Sequence, residues 1–136
     1  MPTRPLSRLT VSLYAAAFVC LLAGARPATT ARRPIPDVRG TWTGTYTADA
    51  GFSGTVDVVI STQRGSHFTG TLADDGGTPL PLTGTITAAR RYKSTARTPG
   101  YVSKKTGTLS TDGNTISGRY TDRPGGRGDF IINRVP

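Results

Sequence analysis

The 136-residue sequence is short of the residue types that carry most enzyme chemistry. It contains no glutamate, a single histidine, His67, and a single cysteine, Cys20. A lone histidine excludes a two-histidine metal site and a histidine–cysteine pair within one mature chain, because Cys20 lies in a segment that we expect to be removed. We therefore predict no catalytic residue, no metal site and no cofactor, and we expect a protein that is not an enzyme.

Negative charge is also scarce. The chain has 17 Lys and Arg residues against 8 acidic residues, all of them aspartates, which makes its formal net charge +9. This balance favours anionic surfaces or polymers through long-range attraction. The absence of glutamate argues against surface helices, because glutamate is a strong helix former, whereas the abundant threonine suits strands. The composition therefore indicates an all-β protein.

The first 25 residues predict export. Arg4 and Arg8 precede an uncharged apolar run over residues 9–22, and small residues follow up to Ala25. This order is typical of a secretory signal peptide, and the apolar run is shorter than the about 20 residues of a transmembrane helix. We predict a signal peptide over 1–25 with cleavage near Ala25. The mature protein is then secreted or periplasmic and has no transmembrane span.

Cleavage would remove the cysteine, so the mature chain would be held together by packing without a disulfide. Residues 26–37 follow, with three prolines, three arginines and little apolar surface to bury. We predict a short flexible tether over this segment, because such a composition does not support a packed core.

From residue 38 onward, short runs rich in threonine, valine, isoleucine and aromatics alternate with turn residues. This pattern is typical of regularly spaced strands. Apolar residues also recur at every second position within the runs, so one face of each strand is expected to point to a common core. The predicted strands cover residues 40–48, 54–62, 66–73, 80–88, 101–110, 115–121 and 128–134, with a possible eighth around 90–97.

Short links between these strands predict an up-and-down arrangement. Residues 111–114 read Thr-Asp-Gly-Asn, a sequence that suits a tight hairpin turn. Closing the sheet removes exposed strand edges. We therefore predict an all-β fold, a single small antiparallel up-and-down barrel of seven or eight strands over residues 38–136, and a monomer.

Glycines recur at inward positions of the predicted strands, for example at Gly44, Gly70 and Gly84. They allow two interpretations: the missing side chains leave room for a ligand, or they let the strands of a small barrel bend sharply. The short chain favours curvature. A ligand chamber would require an interior void of at least about 300 Å³.

The first and last strands of the predicted barrel carry a family resemblance. Gly40-Thr41-Trp42 opens the first strand, and Arg134 lies on the inward face of the last strand. This pairing resembles the lipocalin and avidin group of calycin barrels. The resemblance implies that Gly40, Trp42 and Arg134 close one end of the barrel, with the guanidinium packed across the indole. Such a cation–π contact contributes about 0.5–2 kcal/mol.

A calycin-like barrel implies a binding role, and our leading hypothesis is a non-catalytic exported protein that holds a small hydrophobic ligand or a protein partner at its open end. A basic segment supports the alternative, an interaction module that binds an anionic polymer or envelope. We expect no nucleic-acid partner, because the protein is predicted to be exported. The candidate contact residues of this segment are Arg90, Arg91, Tyr92, Lys93, Arg97, Tyr101, Lys104 and Lys105.

A small secreted hydrolase is the third hypothesis. Its chemistry would need two aspartates that converge in a pocket. Most aspartates fall in predicted turns or flanks, where solvated carboxylates are common. This hypothesis therefore ranks below the two binding functions.

Overall fold

Threonine, β-branched and aromatic residues at alternating positions form eight strands. The computed structural model describes residue 24 and residues 26–136, so the predicted signal peptide lies outside the described residues apart from Gly24. The strands are β1 Gly40–Ala48, β2 Ser53–Arg64, β3 His67–Asp74, β4 Leu80–Ile86, β5 Arg91–Thr98, β6 Tyr101–Leu109, β7 Thr115–Arg123 and β8 Arg127–Arg134.

The strands form a closed barrel in which each strand pairs with its neighbours along the chain. All pairings are antiparallel, and β1 pairs with β8 from Trp42 opposite Arg134 to Ala48 opposite Gly128. The up-and-down barrel predicted from the sequence is confirmed, with β5 as the eighth strand. Within residues 24 and 26–136, no helix has the length and apolar character needed to cross a membrane.

Alternate residues of each strand build the core. Along β2, for instance, Val56, Val58 and Ile60 are buried while the residues between them are exposed. Burying a side chain of this size contributes about 1.5–3 kcal/mol. The same alternation in the other strands fills the middle of the barrel with Phe68, Leu72, Leu82, Ile86, Tyr92, Ala96, Leu109, Ile116, Phe130 and Ile132.

Trp42 and Arg134 close one end of the barrel. The guanidinium carbon of Arg134 lies 4.4 Å from the centre of the Trp42 ring. Arg134 also donates hydrogen bonds to the backbone carbonyls of Arg39 at 2.6 Å and Asp37 at 2.9 Å. The indole Nε1 of Trp42 donates to the carbonyl of Val38 at 2.9 Å. The closure that the family resemblance implied is therefore present.

The chain just before β1 packs on this closed end. Gln63 donates from Nε2 to the carbonyl of Pro36 and accepts from the amide of Val38, both at 2.8 Å. Val38 is fully buried. Pro36 and Asp37, which the sequence analysis placed in the flexible tether, are thus held by hydrogen bonds to the barrel.

The inward glycines allow strands to approach closely. A Cβ added to Gly44 would lie 1.9 Å from the carbonyl oxygen of Ile131, and one added to Gly70 would lie 1.9 Å from that of Val59. No side chain fits at such distances, so the glycines are required by the backbone of the neighbouring strand. This supports curvature over a glycine-lined ligand chamber.

Candidate ligand-binding site

A cavity of about 200 Å³ lies at the open end of the barrel, away from Trp42. We call it the cup. Strands β1, β3, β6 and β7 and two hairpin loops contribute its walls, so it is assembled from parts of the chain that are far apart in sequence. The cup is lined by Tyr46, Phe52, Asp74, Tyr101, Lys105, Tyr120, Asp122 and Gly126.

Lys105 is the cation of the cup. Its side chain points to the inside of the barrel, as do those of Ser103 and Leu109 on the same strand, and it is only 3% exposed. Its Nζ donates a hydrogen bond to Ser103 Oγ at 3.2 Å and lies 5.6 Å from the centre of the Tyr120 ring. An ammonium group carries three donors. Among the described residues, Ser103 Oγ is the only side-chain atom that accepts a hydrogen bond from this ammonium.

Two aspartates face the same cavity. Asp74 ends the inward row of β3, and Asp122 continues the inward row of β7 beyond Tyr120. In each, the oxygen Oδ1 is buried and has no hydrogen-bond partner within the described part of the chain. The other oxygen of Asp74, Oδ2, accepts from the Tyr101 hydroxyl at 3.5 Å. The cup therefore contains unused hydrogen-bond acceptors as well as unused donors.

The three charged groups do not form close ion pairs. None of the ion pairs within 4.0 Å that the described residues form includes Lys105, Asp74 or Asp122. The Nζ of Lys105 therefore lies more than 4.0 Å from the carboxylate oxygens of both aspartates, although all three side chains line the cup. Opposite charges in one partly buried cavity attract strongly.

Burial shifts the ionisation of these groups. It lowers the pKa of Lys105, and the charges of Asp74 and Asp122 act in the opposite direction. Burial raises the pKa of Asp74, an effect that Lys105 opposes and Asp122 reinforces. Burial also raises the pKa of Tyr101, and the negative charges of Asp122 and Asp74 raise it further. The tyrosine is therefore a neutral hydrogen-bonding group at neutral pH.

Below Lys105, two more polar side chains have unused hydrogen-bonding capacity. Ser94 lies opposite Lys105 in the register of β5 and β6 and is only 5% exposed. Neither its Oγ nor the hydroxyl of Tyr92 makes a hydrogen bond of good geometry among the described residues, although the two groups are near enough for Ser94 to lower the pKa of Tyr92 against the effect of burial. Burial raises the pKa of Tyr92 to about 12. Polar groups therefore continue from the cup into the barrel.

Aromatic side chains form the rim. Tyr46 packs edge-on against Tyr120 with ring centres 5.7 Å apart, and against Phe52 at 6.4 Å. The Tyr46 hydroxyl donates to Asp75 Oδ2 at 2.6 Å, which raises the pKa of Tyr46 to about 12. Phe52 is 57% exposed. The rim thus offers apolar surface above a charged interior.

The structure separates the basic segment predicted as one contact surface. Tyr92 and Lys105 point into the barrel, and Tyr101 lines the cup. Arg90 lies in the β4–β5 turn and donates to the carbonyl of Ser110 at 2.6 Å. The prediction of a single surface was wrong for Tyr92, Tyr101 and Lys105, because side chains alternate between the two faces of β5 and β6. It was also wrong for Arg90, because its guanidinium is held by the Ser110 carbonyl. The four that remain exposed are Arg91, Lys93, Arg97 and Lys104.

Three of these exposed residues, Lys93, Arg97 and Lys104, lie on the same outer face as two arginines of β7, Arg119 and Arg123. Arg97 and Arg123 both lie opposite Val102, Lys93 and Arg119 both lie opposite Thr106, and Lys104 lies in the row between. We call these five cations the outer basic face. Arg119 pairs with Asp49 at 2.7 Å and with Asp129 at 3.1 Å. The other four form no ion pair with any described residue.

His67 is exposed on β3, as its outward phase predicted. In the part of the chain that the structure describes, no three or more His, Cys, Asp or Glu side chains cluster in a way that could hold a metal ion.

The two aspartates of the cup were not among the predicted site residues. The third and seventh strands were predicted to end at residues 73 and 121, which placed Asp74 and Asp122 in turns. Both strands continue, to Asp74 and Arg123. Extending the inward phase of Leu72 and Tyr120 by one further step would have found both carboxylates.

Comparison with known proteins supports the fold. The sequence matches no family model and no curated protein. A bradavidin2–biotin complex shares 16% identity at a TM-score of 0.51, covering 68% of this chain and 96% of that chain. A shwanavidin variant with biotin shares 10% identity at 0.51, covering 74% and 99%. A de novo designed fluorescence-activating β-barrel shares 14% identity at 0.52, covering 71% and 93%.

These neighbours share the class of fold seen here, a calycin-like closed barrel of eight antiparallel strands that is similar to avidin-type and designed barrels. At these identities the likeness concerns the fold.

Proposed function

We propose that the protein is a non-catalytic binding protein that holds a small polar molecule in the cup. The observation that carries this proposal is the unused hydrogen-bonding capacity of Lys105, Asp74 and Asp122 around one cavity. Buried polar groups in proteins are normally satisfied, and leaving one without a partner costs about 1–3 kcal/mol. A ligand that uses these groups gains an interaction that the protein itself does not make.

The size and lining of the cup favour a polar ligand over the hydrophobic ligand expected from the sequence. Apolar side chains fill the middle of the barrel. The cup measures about 200 Å³, below the range of about 300–1,000 Å³ that is usual for drug-sized ligands. A purely apolar molecule would bury Lys105 and both aspartates without giving them partners. The ligand is therefore small and carries several hydrogen-bonding groups.

The comparisons are consistent with a binding role. Two of the similar solved structures are complexes with biotin, and another is a de novo designed fluorescence-activating β-barrel. Barrels of this shape therefore accommodate small molecules.

A thermal-shift screen of small polar compounds tests the proposal. A ligand that binds only the folded protein stabilises it by about 2.7 kcal/mol at 100 times its Kd. Compounds that bind the cup should raise the Tm of the wild type and of Lys104→Met, whose side chain is exposed, but raise that of Lys105→Met much less. Equal shifts in all three proteins would place binding outside the cup and contradict the proposal.

We also propose that the protein acts outside the cytoplasm, on the basis of the predicted signal peptide over residues 1–25. The protein recovered from the periplasm or medium should have an N-terminus near residue 26, just after Ala25, as determined by N-terminal sequencing. Recovery of the protein in the cytoplasmic fraction with residues 1–25 still attached would contradict export.

The outer basic face supports a second candidate, binding to an anionic polymer or envelope. Its cations lie on three adjacent strands, with row spacings of about 6.8 Å along a strand and about 4.8 Å between strands. Neutralising Arg97, Lys104 and Arg123 together should lower retention on a heparin column and weaken its salt dependence. Neutralising Arg64, which is exposed on β2, is the control. Equal retention of both variants would exclude this face.

The hydrolase hypothesis required two aspartates in one pocket, and Asp74 and Asp122 meet that requirement. We assign them to binding because Lys105 shares the cavity and can complete a charge-complementary set with them. The screen separates the two functions. Conversion of a bound compound into a product, abolished in Asp74→Asn and Asp122→Asn, would show hydrolysis instead.

A further inference from the structure

We propose that the ligand of the cup is a small zwitterion, a molecule with one ammonium and one carboxylate group. Lys105 would hold the carboxylate, and Asp74 and Asp122 would hold the ammonium. This inference rests on the proposed function and specifies the chemistry of its ligand.

The arrangement of charges in the cup carries the inference. Lys105 donates to Ser103 at 3.2 Å and is not within ion-pair distance of Asp74 or Asp122 among the described residues. Each aspartate has a buried oxygen with no partner. One cavity therefore presents unused donors on one side chain and unused acceptors on two others. A ligand that complements both needs charges of both signs.

At the carboxylate end, the ammonium of Lys105 supplies the donors. One of its three protons goes to Ser103 Oγ at 3.2 Å, which leaves two for a ligand carboxylate. Hydrogen bonds from an ammonium to a carboxylate are charge-assisted and short, and they are about twice as strong as neutral ones.

At the ammonium end, the two carboxylates stand next to aromatic rings. Asp74 and Asp122 line the cup together with Tyr101 and Tyr120. The Tyr120 ring already faces the Nζ of Lys105 at 5.6 Å, so it lies on the lysine side of the cup, whereas Tyr101, whose hydroxyl donates to Asp74 at 3.5 Å, is the ring on the aspartate side. Carboxylate oxygens provide hydrogen bonds, and aromatic faces add cation–π attraction.

Ligands with one charge fit less well. An amine would pair with the aspartates but would be repelled by Lys105 and would leave its donors unused. A carboxylate would pair with Lys105 but would be repelled by Asp74 and Asp122. Leaving charged groups desolvated and unpaired costs more than leaving neutral ones. A zwitterion satisfies both sets with one molecule.

Calorimetric titration with a graded ligand series tests this inference. The series consists of ω-amino acids of about two to six carbons, compared with the alkylamine and the alkylcarboxylate of each length, a size range that suits a small cavity. One of the ω-amino acids should bind the wild type at least about tenfold more tightly than both of its single-charge counterparts. The series needs no variant, so it remains informative if a substitution impairs folding.

Variants then assign the two ends. Lys105→Met and Asp122→Asn should each weaken binding of the best ω-amino acid by at least about tenfold. Lys104→Met and Asp57→Asn are matched controls, because both side chains are exposed on the outside of the barrel. Their affinities should stay within about twofold of the wild type.

Three outcomes would overturn the inference. If an alkylamine binds as tightly as the ω-amino acid, and Lys105→Met binds it more tightly still, the cup is a cation site. If another class of compound binds the cup and no ω-amino acid does, the ligand class is wrong but the binding function stands. If no compound of any class binds the cup, both proposals fail.

Discussion

Lys104 and Lys105 are neighbours in β6 whose side chains lie on opposite sides of the barrel wall. Lys104 is exposed as part of the outer basic face, whereas Lys105 is 3% exposed and lines the cup. The pair allows the same substitution to be made in two environments. A difference between the two variants therefore reports the effect of the cup, because chain position and residue type are matched.

Lys105→Met is expected to change the free energy of unfolding by no more than about 1 kcal/mol near neutral pH. Relief from burying an ammonium group is opposed by the loss of its attraction to Asp74 and Asp122, whose charges the substitution leaves without a partner. Burial lowers the pKa of Lys105, so the folded protein disfavours its charged form, and methionine fills a similar volume without a charge. Lys104→Met should change stability by less than about 0.5 kcal/mol. Denaturant unfolding of both variants measures the difference. A marked loss of stability in Lys105→Met alone would mean that its ammonium stabilises the barrel instead of serving a ligand.

Asp74→Asn and Asp75→Asn should have opposite pH dependences. Burial raises the pKa of Asp74 above 3.8, so the folded state binds this proton more tightly and the wild type loses stability as the pH rises through that raised pKa. Asp74→Asn removes this loss, so its stability relative to the wild type should improve between about pH 3 and pH 7.

Asp75 provides the contrast. Hydrogen bonds from the Tyr46 hydroxyl and the Thr55 amide lower its pKa below 3.8. Its stabilising contribution is present above that pH and disappears as the pH falls through the lowered pKa. Asp75→Asn should therefore be less stable than the wild type at about pH 7 and similar to it at low pH. Unfolding curves with the same pH profile for both variants would contradict the assignment.

Arg134→Met is expected to cost about 2–3 kcal/mol of unfolding free energy. The substitution removes the guanidinium from the Trp42 ring and from the carbonyls of Arg39 and Asp37. Arg127→Met is a suitable control, because Arg127 is exposed and its nearest ion-pair contact, to Asp49, is 3.7 Å long. Thermal and denaturant unfolding should separate the two variants. Equal, small effects would show that the closed end does not depend on Arg134.

Gly44→Ala should be among the most destabilising single substitutions in the barrel, with a loss of about 3 kcal/mol or more. The added Cβ would lie 1.9 Å from the carbonyl oxygen of Ile131, on the strand that closes the barrel. Thr43→Ala, an exposed neighbour on the same strand, should cost less than about 1 kcal/mol. Circular dichroism and denaturant unfolding provide the comparison. A well-folded Gly44→Ala with wild-type stability would show that β1 and β8 can separate locally.

The fold could be predicted from the sequence because it depends on local patterns. Period-2 alternation located the strands, and the pairing of Trp42 with Arg134 indicated closure, which the register of β1 and β8 confirms. Turn residues such as those at 111–114 set the hairpins, with Gly113 in the positive-φ region. The strands and turns need no knowledge of distant contacts, whereas the contact between Trp42 and Arg134 was expected from the family resemblance.

The cup was harder to predict because its parts come from different strands. Lys105 has the same inward phase as Leu109, but its charge and its place in a basic run led to a surface assignment. Asp74 and Asp122 were one residue beyond the predicted strand ends. The distances between the ammonium of Lys105 and the carboxylates of Asp74 and Asp122 depend on the geometry of the closed barrel. Alternation along single strands does not specify that geometry.

The most direct test is a titration of the protein with its tightest-binding small zwitterion, followed through backbone amide resonances. We expect saturable changes in the amide chemical shifts of residues around Asp74, Lys105 and Asp122. These changes should be lost in Lys105→Met but retained in Lys104→Met. Shifts confined to the outer basic face around Arg97 and Arg123, or shifts that survive Lys105→Met unchanged, would contradict the proposed site.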